Sequence, residues 1–190
     1  MLTRAQQRDA TRVRVLDTAA ALFRERGFDG TTIREIAARS GMSAGSVMAV
    51  GDKDSLLVQT FDTVIADAHR DRSGSAPARD LRPERALASL VRPFVSLFTA
   101  DEELARKYAS IVVSGRAPSA LFTHLAATLI DEFAEVLGVP DHPRTQALAR
   151  AAYFAYVGVL MSWAAAPGAS SDQLERLLIE TFAAACGSSS

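Results

Sequence analysis

Hydrophobic residues recur along most of this chain at the spacing of one helix face. Nowhere do they alternate with polar residues at the period of a strand. Leu16, Ala19, Ala20 and Phe23 form one such stripe and predict a helix over residues 4–26, ended by Gly27. Thr32 and Glu35 make a T-x-x-E capping box ahead of Ile33, Ile36 and Ala37, which predicts a second helix starting at Thr32. Gly41 falls where the chain must turn. Ser43 can cap a third, short helix from Ala44 to about Val50. Asp52 is placed to cap a long amphipathic helix carrying Leu57, Phe61, Val64, Ile65 and Ala68.

The run Ser73-Gly74-Ser75-Ala76-Pro77 reads as a linker, and helical patterning resumes beyond it. Residues 84–99 place Leu87, Leu90, Val91, Phe94, Leu97 and Phe98 on a buried side, with Pro93 expected to kink or split the helix. Residues 101–114 start acidic and bury Leu104, Tyr108, Ile111 and Val112. Residues 119–137 read as one helix ended by Gly138-Val139-Pro140. Residues 144–166 form a long helix rich in small residues, broken by Pro167-Gly168. Ser170 and Gln173 offer another capping box for a last helix with Leu174, Leu177, Leu178 and Phe182, and the GSSS end is expected to fray. The pattern predicts an all-α protein of about nine helices. Three form a head over residues 1–52, one connects over 53–72, and the rest form a body over 73–190.

Composition narrows the classes. The chain has 190 residues and 48 % hydrophobic content, enough for a sizeable core. No apolar run approaches the roughly 20 residues needed to span a bilayer, so no membrane partner is expected. The charged start MLTRAQQRDATRVR has no apolar segment behind it, so no signal peptide is expected. Cys186 is the single cysteine, which rules out an intramolecular disulfide and suits a cytoplasmic protein. The net charge is only −1, but residues 1–40 hold eight Arg against five Asp and Glu. That positive end coincides with the two short helices and the Gly-containing turn, the unit that lays its second helix in a DNA major groove.

Catalytic chemistry has no positive support. His69, His124 and His142 are each alone in sequence, and no H-E-x-x-H, G-x-S-x-G, Walker A or G-x-G-x-x-G pattern occurs. His124 and Glu132 lie two helical turns apart, too far for one metal without further ligands. No enzyme activity, cofactor or metal is expected. For DNA contact the candidates are Arg4, Arg8, Thr32, Arg34, Ser43, Ala44, Gly45, Ser46, Met48 and Lys53. Arg4, Arg8 and Arg12 are four apart on one face, where they either face solvent or touch phosphates. Ser43 and Ser46 can cap, donate to phosphates, or do both. Lys53 opens the next helix, within reach of a phosphate. Arg34 and Arg39 touch the backbone or stay in solvent, and Val47 is placed in the core.

The first 57 or so residues resemble the DNA-binding end of tetracycline-repressor-type (TetR family) regulators. The residues that carry the likeness are Val15, Leu16, Ala19, Ala20, Phe23, Gly27, Phe28, Thr31, Thr32, Ile33, Ile36, Ala37, Gly41, Met42, Ser43, Gly45, Ser46, Lys53 and Leu56. The resemblance implies an all-helical homodimer that binds a double-stranded DNA operator and an unknown small-molecule effector. It implies a palindromic operator, repression, and release when the effector changes the spacing of the two heads. One stretch departs from the pattern. The run from Val47 to Lys53 is about one residue short. Met48 stands at the usual aromatic position, and a His/Tyr-Phe pair has collapsed to Val50. Either Ser43, Ser46, Lys53 and the N-terminal arginines supply the lost contacts, or DNA binding is weak. The retained basic N-terminus favours the first.

By the same resemblance the body holds a ligand pocket, with Phe98, Tyr108, Phe122, His124, Phe154, Met161 and Trp163 as candidates to line it; each is alternatively plain core. The small-residue faces of residues 144–166 and the leucine face of the last helix are assigned to a dimer interface, with Ala151, Ala155, Leu174, Leu177, Leu178 and Phe182 as its candidates. The alternative is a dimeric helical protein that binds a ligand or a protein partner and whose DNA head is weakened.

Overall fold

The structure, a computed structural model, describes residues 3–72, 81–122, 125–166, 168 and 170–187, without the side chains of Arg72, Phe122 and Ser171. The described residues are all-α: nine helices and one 3₁₀ turn, with no strand. The linker at 73–77, the last three serines of the GSSS end, Pro167 and His124 lie outside the described residues.

The helices begin and end where local chemistry directs. In α1 (Arg4–Arg26) Thr3 and Gln6 close a capping box, and Val15, Leu16, Ala19, Leu22 and Phe23 are buried. In α2 (Ile33–Ser40) Thr32 and Glu35 do the same, and Gly41 follows at φ 68°, left-handed, with its N–H returned to the end of the helix. Ser43 caps α3 (Ala44–Val50) through the N–H of Ser46. Asp52 accepts from Ser55 N at the start of α4 (Lys53–Arg72). Downstream come α5 (Pro83–Ala100), α6 (Glu102–Val113), a 3₁₀ turn (Ala120–Phe122), α7 (Leu125–Leu137), α8 (Pro143–Ala165) and α9 (Ser171–Cys186).

Three expectations change. Pro93 does not split α5, which runs unbroken from Pro83 to Ala100. The single helix expected over 119–137 is a 3₁₀ turn at 120–122 and a helix from Leu125. By length and composition α8 could cross a membrane, contrary to the expectation from apolar runs; a third of that apolar window is buried, and α8 packs against α7 and α9.

The chain divides into two compact units, each made of two segments of sequence. The first holds the residues up to Val64 together with Glu103–Ser119, and the second holds Ile65–Glu102 and the residues from Ala120 on. In the second, α9 packs on α5 and α8, and α7 on α8 and α5. Its core includes Leu87, Val91, Phe94, Phe133, Trp163, Leu174, Leu178 and Phe182. His69 is buried there, its ring stacked on Phe94 at 6.1 Å and its Nε2 3.8 Å from Glu132. His142 caps α8, accepting from Arg144 N through Nδ1. Neither histidine stands in a metal-ligating group, and the described residues contain none.

In the first unit α1, α2 and α3 pack on one another around Val15, Phe23, Ile36 and Val47. Two ion pairs tie α1 to α2: Arg26 with Glu35 at 2.7 Å, and Arg39 with Glu25. Arg39 is therefore engaged by α1 while staying exposed. The hydrogen bond from Arg39 holds the Glu25 carboxyl below the ordinary glutamate value. Hydrogen bonds from the Thr32 side chain and backbone do the same for Glu35. A group whose folded pKa is lowered adds stability above its unfolded pKa, and that stability is lost as pH falls through the folded value. The α1–α2 pairing should therefore weaken below the ordinary carboxylate range. Acid unfolding followed by circular dichroism should show a shallower pH dependence for Glu35→Gln than for the natural chain; an unchanged acid limb would remove Glu35 from this role.

Candidate nucleic-acid interface

One exposed side of the head is built from α3 and the first turns of α1. Val47 is fully buried and anchors α3, as expected, while Ser43, Ala44, Gly45, Met48 and Ala49 are exposed. The Ser43 and Ser46 hydroxyls lie 2.9 Å apart. A cleft of about 750 Å³ runs beside α3, lined by Arg4, Arg8 and Arg12 of α1, by Ser46, Ala49 and Val50, and by Gln59 of α4, with Asp9 as its acidic member. Helical spacing of four stacks the three arginines along one wall. The structure thus brings Arg4, Arg8 and Ser46 to one place. Arg12, Gln7 and Gln59 join them there.

The shortened run after α3 has a local explanation. Gln59 Nε2 donates to Val50 O at 3.2 Å and so satisfies a carbonyl at the end of α3. A Cβ at Gly51 would stand 2.9 Å from Ser55 Cβ and 3.1 Å from Gln59 Nε2, so only glycine lets the chain enter α4 this soon.

Lys53, a candidate for phosphate contact, is engaged within the head. Its ammonium donates to Phe28 O and Thr31 O, both at 3.1 Å, and stands 4.2 Å from the Phe28 ring centroid. Two of its three N–H groups are thereby committed to the α1–α2 loop. Lys107 of α6 approaches the same ring at 4.7 Å and pairs with Asp29 at 3.2 Å. Thr31 completes the loop, its buried hydroxyl near Leu22 O and Gly27 O at 3.2 and 2.9 Å. Thr32 is occupied as the cap of α2, and Arg34 is exposed on the same helix.

Asp54, Asp62, Arg116 and Ser119, which the sequence did not single out, join Tyr108 in holding the α6 segment to this unit. Asp62 Oδ1 accepts from Ser119 Oγ at 2.8 Å and from Tyr108 Oη at 3.3 Å, and Arg116 pairs with Asp54 at 3.1 Å. Tyr108 also stacks on Phe61, with ring centroids 4.9 Å apart.

Of the candidate pocket residues, Tyr108 belongs to the first unit, and Phe98, Phe154, Met161 and Trp163 to the second. Phe98 and Trp163 are buried and Met161 is half-buried, but Phe154 is 63 % exposed and so lines no enclosed cavity in this protomer. His124 and the Phe122 side chain lie outside the described residues. The interface candidates also divide. Leu174, Leu178 and Phe182 are buried within the protomer, because the stripe at i, i+4 and i+8 of α9 faces its own core. Ala151 and Leu177 are exposed and Ala155 is half-buried.

Residues 15–49, which span α2 and most of α1 and α3, match the family model for bacterial regulatory proteins of the tetR family. The match covers the helix-turn-helix of the head. Solved structures share the all-helical fold of the whole chain. The FadR of Thermus thermophilus, described as a TetR-family transcriptional repressor in complex with lauroyl-CoA, is 24 % identical, with a TM-score of 0.63 over 88 % of this chain and 91 % of that one. A putative TetR-family regulator from Mesorhizobium loti is 20 % identical, with a TM-score of 0.62 over 98 % of both chains. A TetR-family regulator from Bordetella parapertussis is 19 % identical, with a TM-score of 0.51 over 90 % of this chain and 93 % of that one. No curated protein matches the sequence significantly. In this head the arginine-lined cleft lies against the second helix of the helix-turn-helix.

Proposed function

We propose that this protein is a DNA-binding transcriptional regulator, a cytoplasmic, non-enzymatic repressor that binds a palindromic operator as a homodimer and leaves it when a small effector binds the body. The observation that carries the proposal is the cleft of Arg4, Arg8 and Arg12 beside an exposed α3 in a tetR-family head. Arginines along α1 neutralise phosphates, while α3 faces base edges. A dimer is supported by the large apolar side chains left on the last two helices, Phe154 on α8 and Leu177 on α9, which is 46 % exposed. Two heads then read two half-sites. The effector must bind the released and DNA-bound states with different affinity, or it shifts nothing. The acyl-CoA held by the Thermus FadR makes a ligand with a long apolar part a sensible first compound to test.

The test is a gel shift on DNA flanking the protein's own coding region, repeated across a salt series. Binding should weaken steeply with salt. Replacing Arg4, Arg8 and Arg12 together by alanine should lower the slope of log affinity against log salt by roughly 2–3, since each neutralised phosphate adds about 0.9. Binding with an unchanged slope removes the cleft from the interface. Absence of binding at low salt favours the other reading, a dimeric ligand- or partner-binding protein with a weakened head. That reading is supported by an α3 without a charged side chain and a Lys53 turned into its own loop.

A further inference from the structure

The seven residues of α3 are Ala44, Gly45, Ser46, Val47, Met48, Ala49 and Val50. None carries a guanidinium, carboxamide or carboxylate, the groups that read guanine, adenine and cytosine edges by hydrogen bonding. Ala44, Gly45, Met48 and Ala49 are spaced by three and four, so they share one face, and all four are exposed. Met48 is the prominent member, 51 % exposed. The hydroxyls at the start of the helix are engaged locally, Ser43 Oγ with Ser46 Oγ and with Ser46 N. The face is therefore apolar, and the arginines of α1 stand beside it along the cleft.

Basic side chains flanking an apolar helix face match a polyanion whose groove displays an apolar group. In the major groove of B-DNA that group is the C5 methyl of thymine. We infer that α3 reads thymine methyl groups, with Met48 packed on one methyl and Ala44 and Ala49 small enough to bring the helix backbone down to the bases. Phosphate contacts from α1 supply most of the affinity. The methyls supply the sequence preference, and they distinguish T·A from A·T at fixed positions of each half-site. This inference rests on the protein being a DNA-binding regulator.

The test uses the purified full-length protein and a random-sequence duplex pool. Selection at low salt should converge on half-sites with fixed thymines. The selected duplex is then rebuilt with deoxyuridine at those positions, which keeps the base pairing and removes only the methyls. Each methyl lost under α3 should weaken binding about fourfold, the transfer value of one buried carbon group. Met48→Ala should abolish the thymine-over-uracil difference at the one position Met48 covers, a coupling that a merely structural role would not produce. Met48 is exposed, so this variant should fold. Equal affinity for the thymine and uracil duplexes overturns methyl readout while leaving the regulator standing, as does a pool that binds without converging on thymine. No binding to any duplex at low salt overturns both.

Discussion

Replacing Phe182 by alanine should lower the stability of the second compact unit by about 3–5 kcal/mol, the range for large aromatic truncations in packed cores. The ring is fully buried on α9 and meets Phe133 of α7 edge to face, with centroids 5.8 Å apart. Leu174 and Leu178 continue the same stripe, and α9 is packed on α5 and α8. Truncation removes the aromatic pair and leaves a void that three helix contacts cannot all collapse to fill. Trp163 is the only tryptophan in the sequence and is buried in the same unit, so its fluorescence reports the loss directly. A urea titration should show a lower midpoint with little change in slope. A loss below 1 kcal/mol would mean that α9 is loosely held and that its leucine face is available to another chain after all.

Lys53→Met should lower the stability of the head by about 2 kcal/mol, in line with charge-assisted hydrogen bonds to partly buried carbonyls. Methionine keeps most of the stem over Phe28, so the loss reports the ammonium. Thr31 O and Phe28 O lose their Lys53 donor, and the cation above the ring disappears. Amide exchange should accelerate through α2 and α3, which this loop precedes. DNA binding should weaken with the salt slope almost unchanged. A slope lower by about 1 would instead make Lys53 a phosphate contact. The two roles thus separate on one plot.

The features legible in the sequence are those whose cause lies within a few residues. Thr32 with Glu35, Gly41, Ser43 and Ser170 with Gln173 each announce a helix end because cap and capped group are three or four residues apart. The arginines at 4, 8 and 12 declare a basic face by spacing alone. The bonds that assemble the first unit span far more chain: Lys53 reaches back 22 and 25 residues, Ser119 reaches 57 to Asp62, and Lys107 reaches 78 to Asp29. No periodicity in the sequence carries such pairings. The stripes of α9 show the other limit. Amphipathicity marks Leu174, Leu178 and Phe182 as needing cover, but a helix pattern does not say whether the cover is the same chain or a second one. Burial answers it for these three and leaves Leu177 outside. Gln59 gave no signal either, since its role depends on where the last carbonyl of α3 falls.

The first unit is discontinuous, and α6 reaches it from beyond α5 through Asp29, Asp54 and Asp62. A swap that grafts only the opening residues of this chain onto another protein would strand those three carboxylates opposite a foreign helix. The portable piece for a chimera is therefore two segments, residues 1–64 and 103–119, moved together. The same geometry makes substitutions at Lys107, Tyr108 and Arg116 a way to alter the head without touching a residue of the helix-turn-helix.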